Sequence, residues 1–455
     1  MTKGKYKTYK KSDVSWLGDI PEHWEIRRIK YVFKELNDRS ESGNEDLLSV
    51  SQYTGVTKKS DKVTEGENIS NAKTLEGYKL VEKGDLVINI MLAWNGSLGI
   101  SPFNGITSPA YSVYRLIEGN EKYFGYLFRT PNAKQEFKKQ STGIIDSRLR
   151  MYTDSFFDIK TALPPIEEQT AIVNFLDYKL EKINRFIAKK KQLIELLTEQ
   201  KTAIINKAVT KGINPNAKLK TSGIEWLGDI PAHWEIKPLK YFVTYNDEAL
   251  PNSTDKNFKL NYIDISNVNK DGEIDEIVEY TFQDAPSRAR RIVKRGDVIL
   301  STVRTYLKAI AKIEDDEDVI VSTGFAVLRP KININSEFLN SAVRANYFIE
   351  EVCANSFGVS YPAINASDLV TLKLAVPNSV QEQKEISHFL KTETSKIDKT
   401  ISTIEKEITL VEEYKTALIA EAVTGKIDVR DFKVPATEVP LAMVAEEAIA
   451  YNIKE

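Results

Sequence analysis

The chain has 455 residues, 42% hydrophobic and 28% charged, which is enough for two or three packed domains and excludes a single small module. Its 63 Lys and Arg against 65 Asp and Glu give a net charge of −2, so any contact with nucleic acid must come from local patches. One cysteine, Cys353, and three histidines exclude a Cys/His zinc cluster and a disulfide framework, and we expect no metal site.

The start of the chain argues against export and membrane insertion. The first seven residues are basic, but no apolar segment follows them. Nowhere does an uninterrupted apolar run reach the length that spans a bilayer. We therefore expect a cytoplasmic protein with no membrane contact.

An internal repeat organises the sequence. Residues 16–26 recur almost unchanged as residues 226–236, an offset of 210. A Gly-Asp strand signature and a Glu-Gln pair recur at offsets of 212 and 214, at residues 84–88 with 296–300 and at residues 168–169 with 382–383. So small a drift indicates that one unit was duplicated, and two copies are too few for a solenoid.

Each repeat has two parts of different character. The first part, about residues 12–162 and 222–375, has short β-branched runs separated by Gly, Asn, Asp and Pro, which predicts a mixed domain with a substantial β component. The second part begins just after proline and runs without Gly or Pro to Gly212 or Gly425, which predicts one long helix per repeat.

Both predicted helices have an apolar stripe with a period of 3.5 residues, which is typical of a coiled-coil seam. The seam positions are Ile183, Ile187, Lys190, Ile194, Leu197, Lys201 and Ile204 in the first helix and Ile397, Ile401, Ile404, Ile408, Val411, Lys415 and Leu418 in the second. Lys201 and Lys415 are equivalent in the repeat. Either they fix the register at some cost in stability, or their stems pass the seam and place the charge in water.

Pairing the two helices with each other satisfies both stripes within one chain, and the short connection after the first helix favours an antiparallel pair. We therefore predict an α+β fold with two mixed α/β domains of duplicated origin, joined by two long antiparallel coiled-coil helices with pseudo-twofold symmetry. The predicted divisions are a first domain at 1–162, a first spacer helix at 163–211, a second domain at 212–376, a second spacer helix at 377–425 and a tail at 426–455. The tail is either a frayed end or a short helix against a partner.

Catalytic signatures are missing from the sequence. It has no Asn/Asp-Pro-Pro-Tyr/Phe motif of amino-methyltransferases, no G-x-G-x-x-G and no G-x-x-x-x-G-K-[ST]. His23 and His233 lie in the repeated opening, which we define as residues 16–26 and 226–236. They have no cluster of nucleophiles or acids near them in sequence, and we interpret them as packing or capping residues. We therefore expect no catalytic residues.

The repeated order of motifs resembles the DNA-specificity subunit of type I restriction-modification systems. The motifs are W-L-G-D-I-P-x-H-W, G-D-[LV]-[VI]-[IL], the Glu-Gln helix start and an A-V-T helix end, and the resemblance covers about residues 12–430. It implies two target recognition domains, each reading half of a split, asymmetric sequence in double-stranded DNA. It also implies two helices that act as a spacer and dock methyltransferase subunits, of which the duplication suggests two copies.

The same resemblance implies that catalysis belongs to partners and that this chain is not an enzyme. Methyltransferase subunits would use S-adenosylmethionine, and restriction/translocase subunits would use ATP and Mg²⁺, so the chain itself would need no cofactor. Two other functions stay open at this point: a coiled-coil scaffold that never touches DNA, which the low net charge suits, and a stand-alone DNA-modifying enzyme, which the missing motifs disfavour.

The residues that contact DNA are expected in loops that combine small, cationic and amide side chains, because phosphates and base edges are bound by such groups. These loops differ between the two domains, which predicts two half-sites of different sequence. The candidates are Ser51, Gln52, Tyr53, Lys58, Lys59, Arg148 and Arg150 in the first domain, and Asn267, Asn269, Lys270, Arg288, Arg290, Arg291, Arg304, Tyr306, Lys308, Ser360 and Tyr361 in the second.

Overall fold

The chain forms two compact units, which divide the long helices between them. Unit 1 comprises the chain before residue 192 together with the chain after residue 404, and unit 2 comprises residues 192–404. The structure is a computed structural model, and it describes residues 4–62, 74–225, 227–315, 318–358, 361–435 and 442–452.

The helices are two long elements and several short ones. The long helices begin just after proline and end before glycine, as the breaker-free segments predict. In chain order the helices are α1 Glu121–Leu127, α2 Pro131–Gln140, α3 Thr153–Asp158, α4 Ile166–Lys211, α5 Ser336–Val343, α6 Asn346–Ala354, α7 Ala366–Leu369, α8 Val380–Val423 and α9 Ala442–Asn452. None of the helices in the described part of the chain is both long and apolar enough to cross a membrane.

Short strands make up the rest of the regular structure. In unit 1 they are β1 Tyr9–Lys11, β2 Asp19–Pro21, β3 Glu25–Arg28, β4 Phe33–Leu36, β5 Leu48–Ser51, β6 Gly55–Lys58, β7 Lys79–Val81, β8 Leu86–Asn89, β9 Leu98–Ile100, β10 Gly105–Thr107, β11 Tyr111–Leu116 and β12 Lys160–Leu163. In unit 2 they are β13 Leu219–Thr221, β14 Asp229–Pro231, β15 Trp234–Pro238, β16 Val243–Tyr245, β17 Lys259–Ile263, β18 Val278–Thr281, β19 Ala289–Ile292, β20 Val298–Ser301, β21 Ile310–Lys312, β22 Val319–Ser322, β23 Phe325–Pro330 and β24 Lys373–Pro377.

The same antiparallel sheet forms the centre of each unit. Its strand order is β4-β11-β8-β9 in unit 1 and β16-β23-β20-β21 in unit 2. In both sheets the strand that follows the Gly-Asp pair is central and fully buried, at β8 and β20. An aromatic cluster packs on the sheet of unit 1 and includes Phe33, Phe124, Phe128 and Phe156. The predicted duplicated α+β architecture is confirmed.

A second group of strands differs in size between the units. In unit 2 it is a four-stranded sheet of order β18-β17-β22-β19, in which β17 and β22 are parallel. In unit 1 the equivalent strands form two antiparallel pairs, the hairpin β5-β6 and the pair β7-β10, which a parallel bridge between Leu47 and Ile106 connects. The topology is therefore shared, but the regular pairing is more extensive in unit 2.

The long helices α4 and α8 pack antiparallel in each unit. In unit 1, Lys415 Nζ donates to Asn184 Oδ1 at 2.7 Å, and Lys190 forms an ion pair with Glu407. In unit 2, Lys201 Nζ donates to Asp398 Oδ1 at 2.7 Å. The predicted seam lysines thus reach a polar side chain on the facing helix, so their ammonium groups are hydrogen-bonded or ion-paired rather than left among apolar side chains.

Candidate nucleic-acid interface

A buried carboxylate at the start of α4 fixes the repeated opening of unit 1. Trp24 Nε1 donates to Glu168 Oε2 at 2.9 Å, and the Tyr6 hydroxyl donates to the same oxygen at 3.1 Å. His23 Nε2 lies 2.6 Å from Glu168 Oε1. Burial, followed by the nearby Glu168 charge, raises the pKa of Tyr6 well above its usual value, so its hydroxyl remains a donor. Through Glu168, His23 and Trp24 therefore hold the repeated segment at residues 16–26 to the start of α4.

Unit 2 repeats this arrangement at the start of α8. Trp234 Nε1 donates to Glu382 Oε1 at 3.0 Å, and His233 Nε2 lies 2.9 Å from Glu382 Oε2. Trp226, the first residue of the repeated opening, lies outside the described residues. The neighbouring glutamines also match, because Gln169 accepts from the Asn120 amide and Gln383 accepts from the Asn335 amide. The Glu-Gln motif thus ties each long helix to its own globular region.

The repeated Gly-Asp pair places a buried aspartate directly before the central strand of each sheet. In unit 1, Arg115 donates two hydrogen bonds to Asp85, at 2.8 and 3.0 Å. In unit 2, Arg329 reaches Asp297 at 2.9 Å and Glu248 at 2.6 Å. Hydrogen bonding to these aspartates raises the pKa of Arg115 and of Arg329. Because these carboxylates are paired internally, they form a structural frame and not a site open to a ligand.

In unit 2 the frame presents two adjacent loops, residues 302–308 and the described residues of 356–363 (356–358 and 361–363), which we call the paired loops of unit 2. The first loop follows β20, and the second precedes α7. Backbone hydrogen bonds join them: the Arg304 amide donates to the Pro362 carbonyl at 2.7 Å, and Ile364 donates to Thr302 at 2.9 Å. Two candidates distant in sequence therefore lie side by side.

The paired loops of unit 2 combine positive charge with exposed rings. The Arg304 guanidinium lies 4.5 Å from the ring centre of Tyr361. Tyr306, Phe357 and Tyr361 are 53%, 77% and 60% exposed. Lys308 is also exposed, and Ser360 lies outside the described residues. Exposed aromatic and cationic side chains together are the groups that bind phosphates and base edges.

Unit 1 has its own paired loops, residues 90–95 and 142–150, at the equivalent place. The Met151 amide donates to the Ile90 carbonyl at 2.9 Å, and Thr142 and Arg150 form a backbone bridge. Arg148 is exposed at the tip, whereas the Arg150 guanidinium donates to the Ser147 and Leu149 carbonyls and so supports the loop.

A basic and aromatic pair in unit 1 was missed by the sequence analysis. Lys138 on α2 lies with its Nζ 5.2 Å from the ring centre of Trp94 and 2.8 Å from Asp146. Trp94 aligns with Tyr306 at the repeat offset of 212, and this alignment was the available signal. The last turn of α2 also presents Lys139, which is exposed.

The hairpin β5-β6 places Ser51, Gln52 and Tyr53 at its tip. Tyr53 is exposed, and Arg129 Nη2 donates to the carbonyls of Gln52 and Tyr53 at 2.8 and 2.9 Å. Burial lowers the pKa of Arg129. Lys58, by contrast, pairs with Asp46 at 2.6 Å, and Lys59 is half-buried beside it.

Both asparagine candidates of the second domain are engaged in local structure. Asn267 Oδ1 accepts from the Asp264 amide at 2.8 Å and completes a capping box. The Asn269 side chain bonds Glu273 and Asp275 and also accepts two backbone amides, while Lys270 is exposed beside this acidic turn. These asparagine side chains stabilise a turn, and they are not presented as free amides.

The arginine cluster of the second domain lies on the edge strand β19 and just before it. Arg288 is exposed. The guanidinium of Arg290 lies 4.5 Å from the ring centre of Phe282, and Arg291 is half-buried with its Nε sealed from solvent. The cluster therefore lies on a different strand, and in a different part of the sequence, from the paired loops of unit 2.

Comparison with known proteins identifies the family. The model of the type I restriction modification DNA specificity domain matches residues 21–196 and 231–412. These two matches cover most of the chain and coincide with its two repeats. The chain belongs to this family.

Relatives and solved structures agree with this assignment. The type I restriction enzyme MjaVIII specificity subunit of Methanocaldococcus jannaschii is 27% identical over 443 residues, which cover 90% of this chain and 95% of that protein. The HindI specificity subunit of Haemophilus influenzae is 30% identical over 106 residues, 22% of this chain and 23% of that protein.

Two solved structures share the fold at 16% identity. One, from work on complex assembly and conformational transition of the type I R-M system, has a TM-score of 0.65 and covers 89% of this chain and 98% of its own. The other, the HsdS subunit from Thermoanaerobacter tengcongensis, has a TM-score of 0.51 over 90% of this chain and 98% of its own.

Proposed function

We propose that this chain is the DNA-specificity subunit of a type I restriction-modification complex and that each unit reads one half of a bipartite, asymmetric DNA site. One observation carries the proposal: the two units share a frame built around Glu168 and Glu382 but differ in the loops that this frame presents. A shared frame with different exposed loops suits two readers that dock alike and recognise different bases.

The candidate interface in unit 2 is the paired loops, with Arg304 and Tyr361 at their centre. The Arg304 guanidinium is held over the ring of Tyr361. This contact orders the guanidinium for a bidentate contact with DNA and lowers the conformational entropy lost on binding. In unit 1 the corresponding groups are Arg148 and the Trp94–Lys138 pair. Arg288, Arg290 and Lys270 are secondary candidates for phosphate contacts.

The partners form the second part of the proposal. The outward polar faces of α4 and α8 would dock two methyltransferase subunits, and restriction/translocase subunits would join them. Catalysis and its cofactors, S-adenosylmethionine, ATP and Mg²⁺, would belong to those partners, in the cytoplasm. The buried carboxylates support this division of labour because internal hydrogen bonds engage them instead of leaving them free for acid-base chemistry.

Methyl transfer separates this function from its two rivals. We expect no transfer of a labelled methyl group from S-adenosylmethionine to DNA by the chain alone, and transfer at a two-part site when a methyltransferase subunit is added. We also expect DNA binding by the complex to weaken steeply with salt, because cations released from the phosphates favour binding.

The contrary results are equally clear. Transfer by the chain alone would identify a stand-alone enzyme. No binding to DNA by the complex at any salt concentration would identify a scaffold.

A further inference from the structure

The helix α9 lies on the long helices of unit 1. Its Val444 and Ala448 side chains are buried, Ala448 fully. Lys179 of α4 donates to both carboxylate oxygens of Glu447, at 2.8 and 2.9 Å, and the Tyr414 hydroxyl of α8 reaches Glu447 at 3.3 Å. Apolar burial and a three-way polar contact therefore hold α9 on both helices at once.

Two further contacts extend this cover. The Tyr451 hydroxyl donates to Glu421 at 3.3 Å, and its ring lies 5.6 Å from the ring of Tyr414. Before α9, the ring of Phe432 packs edge-on against Phe175 at 5.1 Å. The described parts of the tail thus contact α4 at Phe175 and Lys179 and α8 at Tyr414 and Glu421.

The equivalent face of unit 2 is open. Phe389 is the counterpart of Phe175 at the repeat offset of 214, and it is 37% exposed against 8% for Phe175. It lines a shallow groove with Ile213, His388 and Thr392. No helix equivalent to α9 covers this groove in the part of the chain that the structure describes.

Charge explains why the tail suits one face and not the other. The counterpart of Lys179 is Glu393, and the counterpart of Glu421 is Lys207. Glu447 would therefore meet a carboxylate on unit 2, where it meets an ammonium group on unit 1. Like charges at contact distance disfavour docking, so α9 is specific for unit 1.

We propose that α9 is a cover held in cis over one of the two faces that dock methyltransferase subunits. A partner subunit then docks first on the open face of unit 2, and on unit 1 only after α9 is displaced. This inference rests on the proposed function, because it takes the outward helix faces as the docking faces. A cover that is closed about nine-tenths of the time weakens the second docking step about tenfold.

The test releases α9 without altering the face beneath it. Ala448→Glu forces a carboxylate into the contact, whereas Ile449→Glu puts the same group at the neighbouring exposed position and is the matched control. We expect hydrogen exchange of residues 442–452 in the chain alone to be slow in the wild type and in Ile449→Glu. It should be about tenfold faster in Ala448→Glu, as expected when a cover that is closed about nine-tenths of the time is released.

The partner experiment uses the methyltransferase subunit of the same restriction-modification system, titrated into the full chain and followed by native mass spectrometry. We expect two docking steps in the wild type, the second about tenfold weaker, and an unchanged first step with a second step strengthened about tenfold in Ala448→Glu. Ile449→Glu should match the wild type.

A charge exchange identifies the contact itself. Glu447→Lys should release α9, and the double variant Lys179→Glu/Glu447→Lys should restore slow exchange, which a general loss of structure would not do. Fast exchange of α9 in the wild type, or an unchanged second step in Ala448→Glu, would overturn the cover. Failure of the proposed docking itself gives a different result. In that case no variant binds the partner, although hydrogen exchange still distinguishes Ala448→Glu from the wild type. That result also overturns the proposal that α9 competes with a partner subunit for unit 1.

Discussion

Units 1 and 2 share a frame, but they do not hold it equally firmly. Glu168 has three side-chain partners and a side chain that is 10% exposed, whereas Glu382 has two partners and is 26% exposed. The counterpart of Tyr6 in unit 2 is Asn216. The histidine, tryptophan and glutamate that hold each globular region to its helix are thus repeated, whereas the additional partner Tyr6 is not.

The surface loops of the two units differ in chemistry, whereas the frame beneath them is shared. Unit 2 stacks Arg304 on Tyr361, whereas unit 1 places Lys138 near Trp94. The loops occupy equivalent places, but their chemistry differs. Similarity between the units therefore marks structure, and the loops in which they differ are the ones that we propose to read DNA.

The largest effect is expected at the buried aspartates. Arg329→Ala leaves Asp297 buried without its guanidinium and removes one of the two cationic partners of Glu248, whose other partner is Lys294, so we expect a loss of about 3–4 kcal/mol in unit 2. Arg115→Ala should cost about 2–3 kcal/mol in unit 1. Hydrogen exchange of β20 and β8 measures the two units separately.

The control for this prediction is Arg28→Ala. Arg28 forms an exposed ion pair with Asp158, so its loss should cost less than about 1 kcal/mol. Equal effects of Arg28→Ala and Arg329→Ala would show that the Gly-Asp carboxylates are not part of the frame.

The second prediction uses the inequality between the two helix starts. Glu168→Ala removes the acceptor of three side chains, and Glu382→Ala removes the acceptor of two in a more exposed place. We expect losses of about 3 and about 2 kcal/mol, since each buried donor left without an acceptor costs free energy. Urea unfolding followed by local hydrogen exchange checks the order, and a larger loss for Glu382→Ala would contradict it.

The smallest effect concerns the seam lysines. Lys415 faces the neutral Asn184, and burial lowers its pKa, whereas Lys201 faces the charged Asp398. Lys415→Leu should stabilise the helix pair by about 1 kcal/mol, and Lys201→Leu should be close to neutral because it removes an ion pair as it completes the seam.

The seam prediction includes a pH dependence. Because the pKa of Lys415 is lower in the folded state, the unfolded chain binds more protons between that value and about 10.4, and stability rises with pH across this window. The Lys415→Leu variant should therefore gain less folding stability than the wild type when the pH is raised through the alkaline range. An identical pH dependence in denaturant unfolding of the two proteins would refute the assignment.

The frame was predictable because it repeats. Glu-Gln, Gly-Asp and the tryptophan of the opening recur in order, and such recurrence requires an equivalent local contact in both units. The helix pair was predictable as well, since a period of 3.5 along two breaker-free segments leaves few other structures.

The site was less predictable because its contacts join distant residues. Arg304 and Tyr361 are brought together by backbone bonds between two loops, and nothing in either loop alone indicates this. Asn267 and Asn269 looked like free amides but bond their own turns, as short polar side chains often do. The docking of α9 escaped prediction because it depends on Lys179, far away in the chain.

Assignment of half-sites tests the central claim most directly. Methylated sites made by the complete complex would be mapped by sequencing for Arg304→Ala, for Arg148→Ala, and for two controls outside the paired loops, Lys240→Ala and Lys30→Ala. The controls occupy equivalent repeat positions beside the exposed rings of Tyr241 and Tyr31.

We predict that Arg304→Ala relaxes one half of the site and Arg148→Ala the other, each by about ten- to a hundredfold in discrimination, since a base contact contributes about 1–3 kcal/mol. Both controls should leave the site unchanged. If either variant relaxed both halves equally, or if the controls relaxed the site as much, the assignment of one half-site to the paired loops of each unit would be wrong.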